Sequence, residues 1–536
     1  MLRKWAAMLR KSATQMLMAT VFVAFLGVLP VLAQDNKSVD EMSADTLIEE
    51  HVAVLKDYID DHQSFSTEGE WLVEDVGPYH AITFPALYID LPTGRIDLGI
   101  LAANVTGHPE SNNIKGSLAL PTEIAYLTPN KNVETVLTID RQQNSFVWGH
   151  TPDMNTGLLE LSLENTIIED SDWAAPLKAA VLNLELEHGV KADKRAFSAS
   201  GQNLSMGLEG GGDQDFFTLH LENFTLYQTM EGRAPHHFLG DFISGTDRSL
   251  QNVSATASLN NLILDAPAFK NPLEIEALAM ERTYKINEEG RVSGGSTLTL
   301  TSDANPTGDN PRSAFWPTSV EMDFSYQNIS TAGLEPFMPL NYFSGNYFSG
   351  NYFSGLDQVE NQNNINQILN QEKGLIEQMK MMLRPAMKEN QPTGDAGIIK
   401  VDNSRIAFAG GASISTYGEL RGTENGAVTG GLTVDISGLS NLREQVNGKS
   451  KDAAETVAKG SPVAVPGALL MLGAEMFGEK VVTPAGEVIV RFNLSLDQDR
   501  GLLLNDQSLQ VITNLIKTGS AAAKLMQPTQ PSNNEQ

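Results

Sequence analysis

Cysteine is missing from all 536 residues of the chain. Its absence rules out disulfides and thiolate metal sites, so a stable fold must come mainly from burial, which a chain of this length can supply. Positive charge is the next scarcity. The 37 Lys and Arg face 66 Asp and Glu, for a formal net charge of −29. Such a polyanion repels nucleic acid and anionic headgroups over a Debye length, which argues against a nucleic-acid partner. Long apolar runs are also rare. One spans Met16–Leu29, and the Pro462–Phe477 stretch is too short and too interrupted by Pro and Gly to cross a bilayer.

Catalytic signatures are lacking as well. The chain has no Gly-X-Ser-X-Gly elbow, no Walker loop, no dinucleotide fingerprint and no His-Glu-X-X-His. No catalytic residue, cofactor or metal ligand is assigned. Of the nine histidines only His236 and His237 are adjacent, with Asp241 nearby. Neighbours on a strand point to opposite faces, a poor arrangement for one metal. The segment Asp497-Gln-Asp-Arg-Gly501 opens like a calcium loop but lacks the third acidic ligand and the closing glutamate, so it reads as a hairpin turn. With 66 carboxylates a pair suited to glycoside hydrolysis could form in space, although nothing marks which two.

What is present starts with an export signal. Arg3, Lys4, Arg10 and Lys11 precede the apolar run, Pro30 breaks it, and Val31-Leu32-Ala33 offers a cleavage site. Residues 1–33 read as a signal peptide, with Gln34 as the mature start. The alternative is an uncleaved anchor, but the run is short of the roughly 18–20 residues that span comfortably. The expected location is the bacterial periplasm, with the extracellular space second and no stable transmembrane span after cleavage.

Downstream, residues 34–68 form an N-terminal segment with a helix from Ser43 to Asp61, capped by Ser43 or Asp45 and carrying Leu47, Val52, Val54, Leu55 and Tyr58 on one stripe. From 69 to 340 the period is two, the texture of a long antiparallel β region with one face half-buried. Residues 341–355 repeat Asn-Tyr-Phe-Ser-Gly three times, an expanded surface loop or a contact region. An amphipathic helix is expected over 356–392, stopped by Pro385. Its Ile368, Leu369, Leu375, Ile376, Met379, Met382 and Leu383 share a face that could either pack on the sheet or present an adaptable apolar-ligand surface. Residues 393–525 return to strands and helix, with a closing hairpin after Val488, and 526–536 form a disordered tail. The fold class is therefore mainly β: a long, curved antiparallel meander with helices packed on one face.

Within the β region a motif recurs: an apolar alternating run, a polar residue, Asn, then a second apolar run. It is clearest at Asn165, Asn223 and Asn261 and looser at Asn104, Asn203 and Asn328, while Gly438 fills the slot once. Asn and Gly accept positive φ most readily, so each is expected to kink its strand and strengthen its twist. The intervals Asn165–Asn203–Asn223–Asn261 are about 38, 20 and 38 residues, near one hairpin or two.

The signal, the long strands, the Asn pattern and the closing run Leu494-Ser-Leu-Asp-Gln-Asp-Arg-Gly-Leu-Leu-Leu-Asn505-Asp together resemble bacterial envelope proteins of unknown function, the AsmA-like and YdgA-like periplasmic families. The likeness covers 100–340 and 396–510, and it departs from AsmA-like proteins in having no membrane anchor once the signal is cleaved. It implies an envelope role handling lipid or another apolar molecule along a curved sheet, without catalytic residues. Two other functions stay open: a hydrolase acting on envelope polymers, or a surface interaction protein using the aromatic repeat.

Overall fold

A computed structural model describes residues 43–330, 379–442 and 478–508, less 62–64, 92–93, 131, 152–153, 171–175, 189–193, 210–215, 233–249, 266–271, 288–290, 304–315, 381–382, 384, 386, 389–390, 393–394, 424–425 and 498–500. The Asn-Tyr-Phe-Ser-Gly repeat, the export signal and His236-His237 lie outside the described residues.

Helix α1 (Ala44–Asp61) starts where the Ser43 hydroxyl accepts the Thr46 amide at 3.1 Å, which satisfies an orphan donor of the first turn. Its Leu47, Ile48, Val52, Val54 and Ile59 are buried together with the first strands of the sheet. Those strands are β1 (Phe65–Glu68), β2 (Leu72–Asp75), β3 (His80–Leu91), β4 (Gly94–His108), β5 (Asn113–Ala119), β6 (Glu123–Leu127), β7 (Val133–Thr138) and β8 (Arg141–Thr151). The helix matches the Ser43–Asp61 expectation, and the sheet begins at Phe65, within the last residues of the 34–68 segment.

A run of long strands follows: β9 (Met154–Asp170), β10 (Leu177–His188), β11 (Lys194–Glu209), β12 (Phe216–Gly232), β13 (Leu250–Asp265), β14 (Leu273–Ile286), β15 (Arg291–Ser302) and β16 (Pro317–Ser330). Each pairs antiparallel with the next. Two short strands, β17 (Met387–Lys388) and β18 (Gln391–Pro392), pair only with each other, so the stretch expected to be helical to 392 ends in a small ladder. The main sheet resumes with β19 (Ile398–Phe408), β20 (Ser413–Gly422), β21 (Val428–Ser437), β22 (Glu479–Val482), β23 (Val488–Asp497), β24 (Gly501–Leu504) and β25 (Gln507–Ser508). Strand β19 pairs with β16 and β20, and β23 with β21, β22 and β24. The fold is mainly β, a long antiparallel meander. The expected hairpin after Val488 is present as β23 and β24, with Asp497 opposite Gly501.

One row of residues organises the meander. Asn165, Asn203, Asn261 and Asn328 all have positive φ, between 51° and 53°. Register places the first three in a single line across the sheet. Glu164 pairs with Val181 and Thr166 with Ala179, so Asn165 faces Ala180. Asn203 faces the same Ala180 from β11 and Glu222 from β12. Asn261 faces Glu222 and, on its other side, Glu276. On the β7–β8 side Asn165 faces Asp140, the gap between two collinear strands. The Asn165 side-chain amide donates to Asp140 at 3.1 Å, and the Asn261 amide donates to Glu222.

At this row the buried face changes parity. On β9 Leu159, Leu161 and Leu163 are buried before Asn165, and Thr166 and Ile168 after it. On β11 Phe197 and Ala199 give way to Leu204. In a regular strand side chains alternate strictly, so a switch from odd to even means that one residue per strand is taken up at the row. Because neighbouring strands each give up one residue there, pairing stays in register on both sides. The row is a transverse crease in the sheet. Asn sits on alternate strands β9, β11 and β13, with Ala or an acidic residue between.

Two of the expected kinks are absent from the positive-φ residues. Asn223 lies one position past the crease, paired with Gln202 and Asn260, since Glu222 holds the row on β12. Asn104 is a regular strand residue opposite Ser117; in β4 the left-handed residue is Gly99, φ 62°, where a Cβ would come within 3.2 Å of Pro121. Gly438 has the expected positive φ, 66°.

Candidate functional site

The side chains next to the crease form ladders that cross the sheet. Counting by register, one continuous apolar row runs Leu163, Leu182, Gly201, Phe224, Leu259, Leu278, Leu300, Val320, Ile406, Ile414, Ile436 and Val490. Cross-strand partners share a face, so these twelve positions line the same side over about 50 Å at ~4.8 Å per strand. That is longer than the roughly 30 Å hydrocarbon thickness of a whole bilayer.

Its ends are closed and its middle is not. Leu163 is 3% exposed, Ile436 4% and Val490 8%, whereas Phe224, Leu259, Leu278, Leu300, Val320 and Ile406 are half-buried. Three more rows lie beside it on β12–β16: Leu226–Ala257–Met280–Leu298–Met322, then Gln228–Ala255–Arg282–Ser296–Phe324, then a row that includes Val253, Gly294 and Tyr326. Met322 is 40% exposed and Phe324 38%. Large apolar side chains open to water on the same face as a core are the signature of an interaction surface.

Two closed cores flank this trough. The first joins α1 to β3–β11 and includes Leu98, Leu101, Trp148, Leu161 and Leu186. The second contains Val292, Tyr326, Ile329, Leu383, Val428 and Leu496. Val253, on β13, packs against both, so the apolar face is continuous between them.

Of the residues read from the sequence as an apolar-ligand surface, Ile368, Leu369, Leu375, Ile376 and Met382 lie outside the described residues. Met379 is partly buried against the second core, and Leu383 is fully buried inside it. Leu383 is fixed by its carbonyl, which accepts the Gly397 amide at 2.7 Å, and by the close approach of Gly422. It shares that core with Tyr326, a member of the fourth row.

The open positions, Leu226, Met280, Leu298, Met322 and Phe324, escaped the sequence reading. A signal for them existed: on each creased strand the inward side chains fall two, four and six residues from the row residue. Using it required knowing that the rows align, which depends on register.

The one charged residue among those four rows is Arg282. Its Nε is buried and has no hydrogen-bond partner among the described residues. Next to it Tyr326 is pushed above the ordinary phenol value of 10.0 by burial, and Arg282 opposes that rise. The phenol hydroxyl points to the Thr283 carbonyl at 3.4 Å. Among the described residues no group of three or more His, Asp or Glu is placed to hold a metal ion, and no helix is long and apolar enough to cross a membrane.

No family model matches this chain, and neither a curated protein nor a solved structure matches it.

Proposed function

We propose that the chain is an exported, non-enzymatic protein of the bacterial envelope that binds lipid or another apolar molecule along the inner face of its sheet. The observation that carries the reading is the row from Leu163 to Val490, buried at its ends and half-open over β12–β19. Leaving such side chains in water forgoes ~25 cal/mol for each Å² that a ligand would cover. The periplasm is the proposed location, reached through the signal of residues 1–33.

The test is direct. Purified full-length protein should release lipid on organic extraction, detected by mass spectrometry, and should enhance the fluorescence of an apolar dye. A ligand-free spectrum together with a silent dye would overturn the proposal. N-terminal sequencing of protein recovered from the periplasmic fraction should begin at Gln34, and recovery from the cytosol would count against the location.

A further inference from the structure

We infer that the apolar trough takes an anionic amphiphile, with Arg282 as the anchor for its head. The inference rests on the apolar-ligand reading above and adds the chemistry of the ligand's polar end.

The placement of Arg282 is the reason. Register puts it on the trough face, between Ala255 of β13 and Ser296 of β15. In a chain with 66 acidic and 37 basic residues, the four rows of β12–β16 contain no acidic side chain at all. The nearby acids Glu281, Glu321 and Asp323 are odd-numbered neighbours of trough residues on the same strands, and so face the other side. Among the described residues Arg282 is thus a cation in mostly apolar surroundings without a carboxylate on the four rows.

Burying part of a guanidinium is costly unless its donors are satisfied, and its Nε is buried without an acceptor among the described residues. Tyr326 accepts one hydrogen bond from the guanidinium but does not neutralise it, because burial keeps that phenol protonated. The cross-strand neighbours of Arg282, Ala255 and Ser296, are small, and Gly294 on the next row has no side chain. The exposed Met322 and Phe324 continue the apolar surface from that point.

An oxyanion attached to a hydrocarbon chain satisfies both halves of this surface. Its head accepts from the planar guanidinium in the forked geometry that suits carboxylate and phosphate alike, and its tail lies along the apolar rows. The net negative charge of the protein does not oppose this. Its field is screened over about 8–10 Å of water, whereas the Arg282 contact is short and partly desolvated.

The experiment compares dye displacement by oleate, by oleoyl lysophosphatidate and by uncharged monoolein, on the full-length protein and its Arg282→Met and Arg282→Lys variants. The wild-type chain should bind at least one anionic probe about 10- to 100-fold more tightly than monoolein, the range of a charge-assisted hydrogen bond. Oleate and lysophosphatidate then distinguish a fatty-acid carboxylate from a phosphate head. Arg282→Met should lose that preference while keeping monoolein affinity, and Arg282→Lys should retain part of it.

Equal binding of charged and uncharged probes by the wild-type chain would overturn the inference and leave the apolar-ligand reading standing. An unchanged preference in Arg282→Met would do the same. Failure of every probe to displace dye would overturn both. Should Arg282→Met not fold, the wild-type comparison alone decides.

Discussion

The side-chain amide of Asn165 donates to the carboxylate of Asp140 at 3.1 Å, across a register that puts the two residues directly opposite each other. This contact fixes the crease where β9 meets the break between β7 and β8, and the Asn261–Glu222 contact repeats it four strands further on. Asn therefore serves twice at these positions. Its backbone tolerates the left-handed region, and its side chain bonds along the row.

The first role predicts a specific hierarchy of substitutions. Asn261→Gly should cost less than ~1 kcal/mol, because glycine accepts positive φ and only the exposed bond to Glu222 is lost. Asn261→Val should destabilise by ~1–3 kcal/mol, since a β-branched residue is strained there. Asn223→Val, in the same sequence motif but outside the positive-φ set, should be tolerated within ~1 kcal/mol. Urea denaturation of the three variants decides, and equal losses at 223 and 261 would contradict the assigned crease.

Leu383 is 0% exposed, and its removal should be expensive. Leu383→Ala is expected to cost ~2–5 kcal/mol, the range for a large side chain deleted from a core that cannot collapse. Gly422→Ala should destabilise too, because the added methyl would overlap the Leu383 carbonyl. Thermal unfolding followed by circular dichroism measures both.

On the outer face Arg491 makes two bonds to Asp435, at 2.7 and 2.8 Å, which hold its guanidinium charged over the whole accessible pH range. Arg491→Lys keeps the charge but loses the fork geometry. The pair is partly solvated, with side-chain exposures of 30% and 17%, so the expected loss is only ~1 kcal/mol, read from the shift of the urea midpoint.

Tyr326 supplies a pH dependence. Its folded pKa lies above the ordinary 10.0 because of burial, so the folded state holds the proton more tightly than the unfolded chain. The associated stability is complete below pH 10 and declines as pH rises through the folded value. An ultraviolet difference titration should show two late phenols, Tyr326 and Tyr88, the latter raised by burial and by the nearby Asp97 and Glu68, and Tyr326→Phe should remove one of them. In Arg282→Met the Tyr326 phenol should move higher still, because the cation that opposes the rise is gone.

How much of this could be read from the sequence differs between levels. The antiparallel meander was legible, because alternating runs separated by turns leave few other arrangements. So were the left-handed residues at Asn165, Asn203, Asn261 and Asn328. Asn223 and Asn104 were misread for an instructive reason: an Asn between apolar runs satisfies the local pattern, but the neighbouring strands decide which residue of each strand falls on the common row. On β12 that residue is Glu222. The trough was hidden for the same reason. Leu226, Met280, Leu298 and Met322 are unremarkable strand residues until pairing sets them side by side. Arg282 carried no local signal at all, since nothing in Met-Glu-Arg-Thr-Tyr tells that the arginine faces inward among apolar neighbours.

The alternation of Asn-bearing and Ala- or acid-bearing strands has a genealogical consequence. Because the left-handed residue recurs on every second strand and in line with its predecessors, a duplicated hairpin inserted into the meander would arrive with its bend already aligned to the others. Such a protein can grow by accretion, two strands at a time, gaining reach without redesigning either end. A single inserted or deleted residue within one hairpin, by contrast, would throw its bend out of line with both neighbours. Length variants of this architecture should therefore differ by whole hairpins.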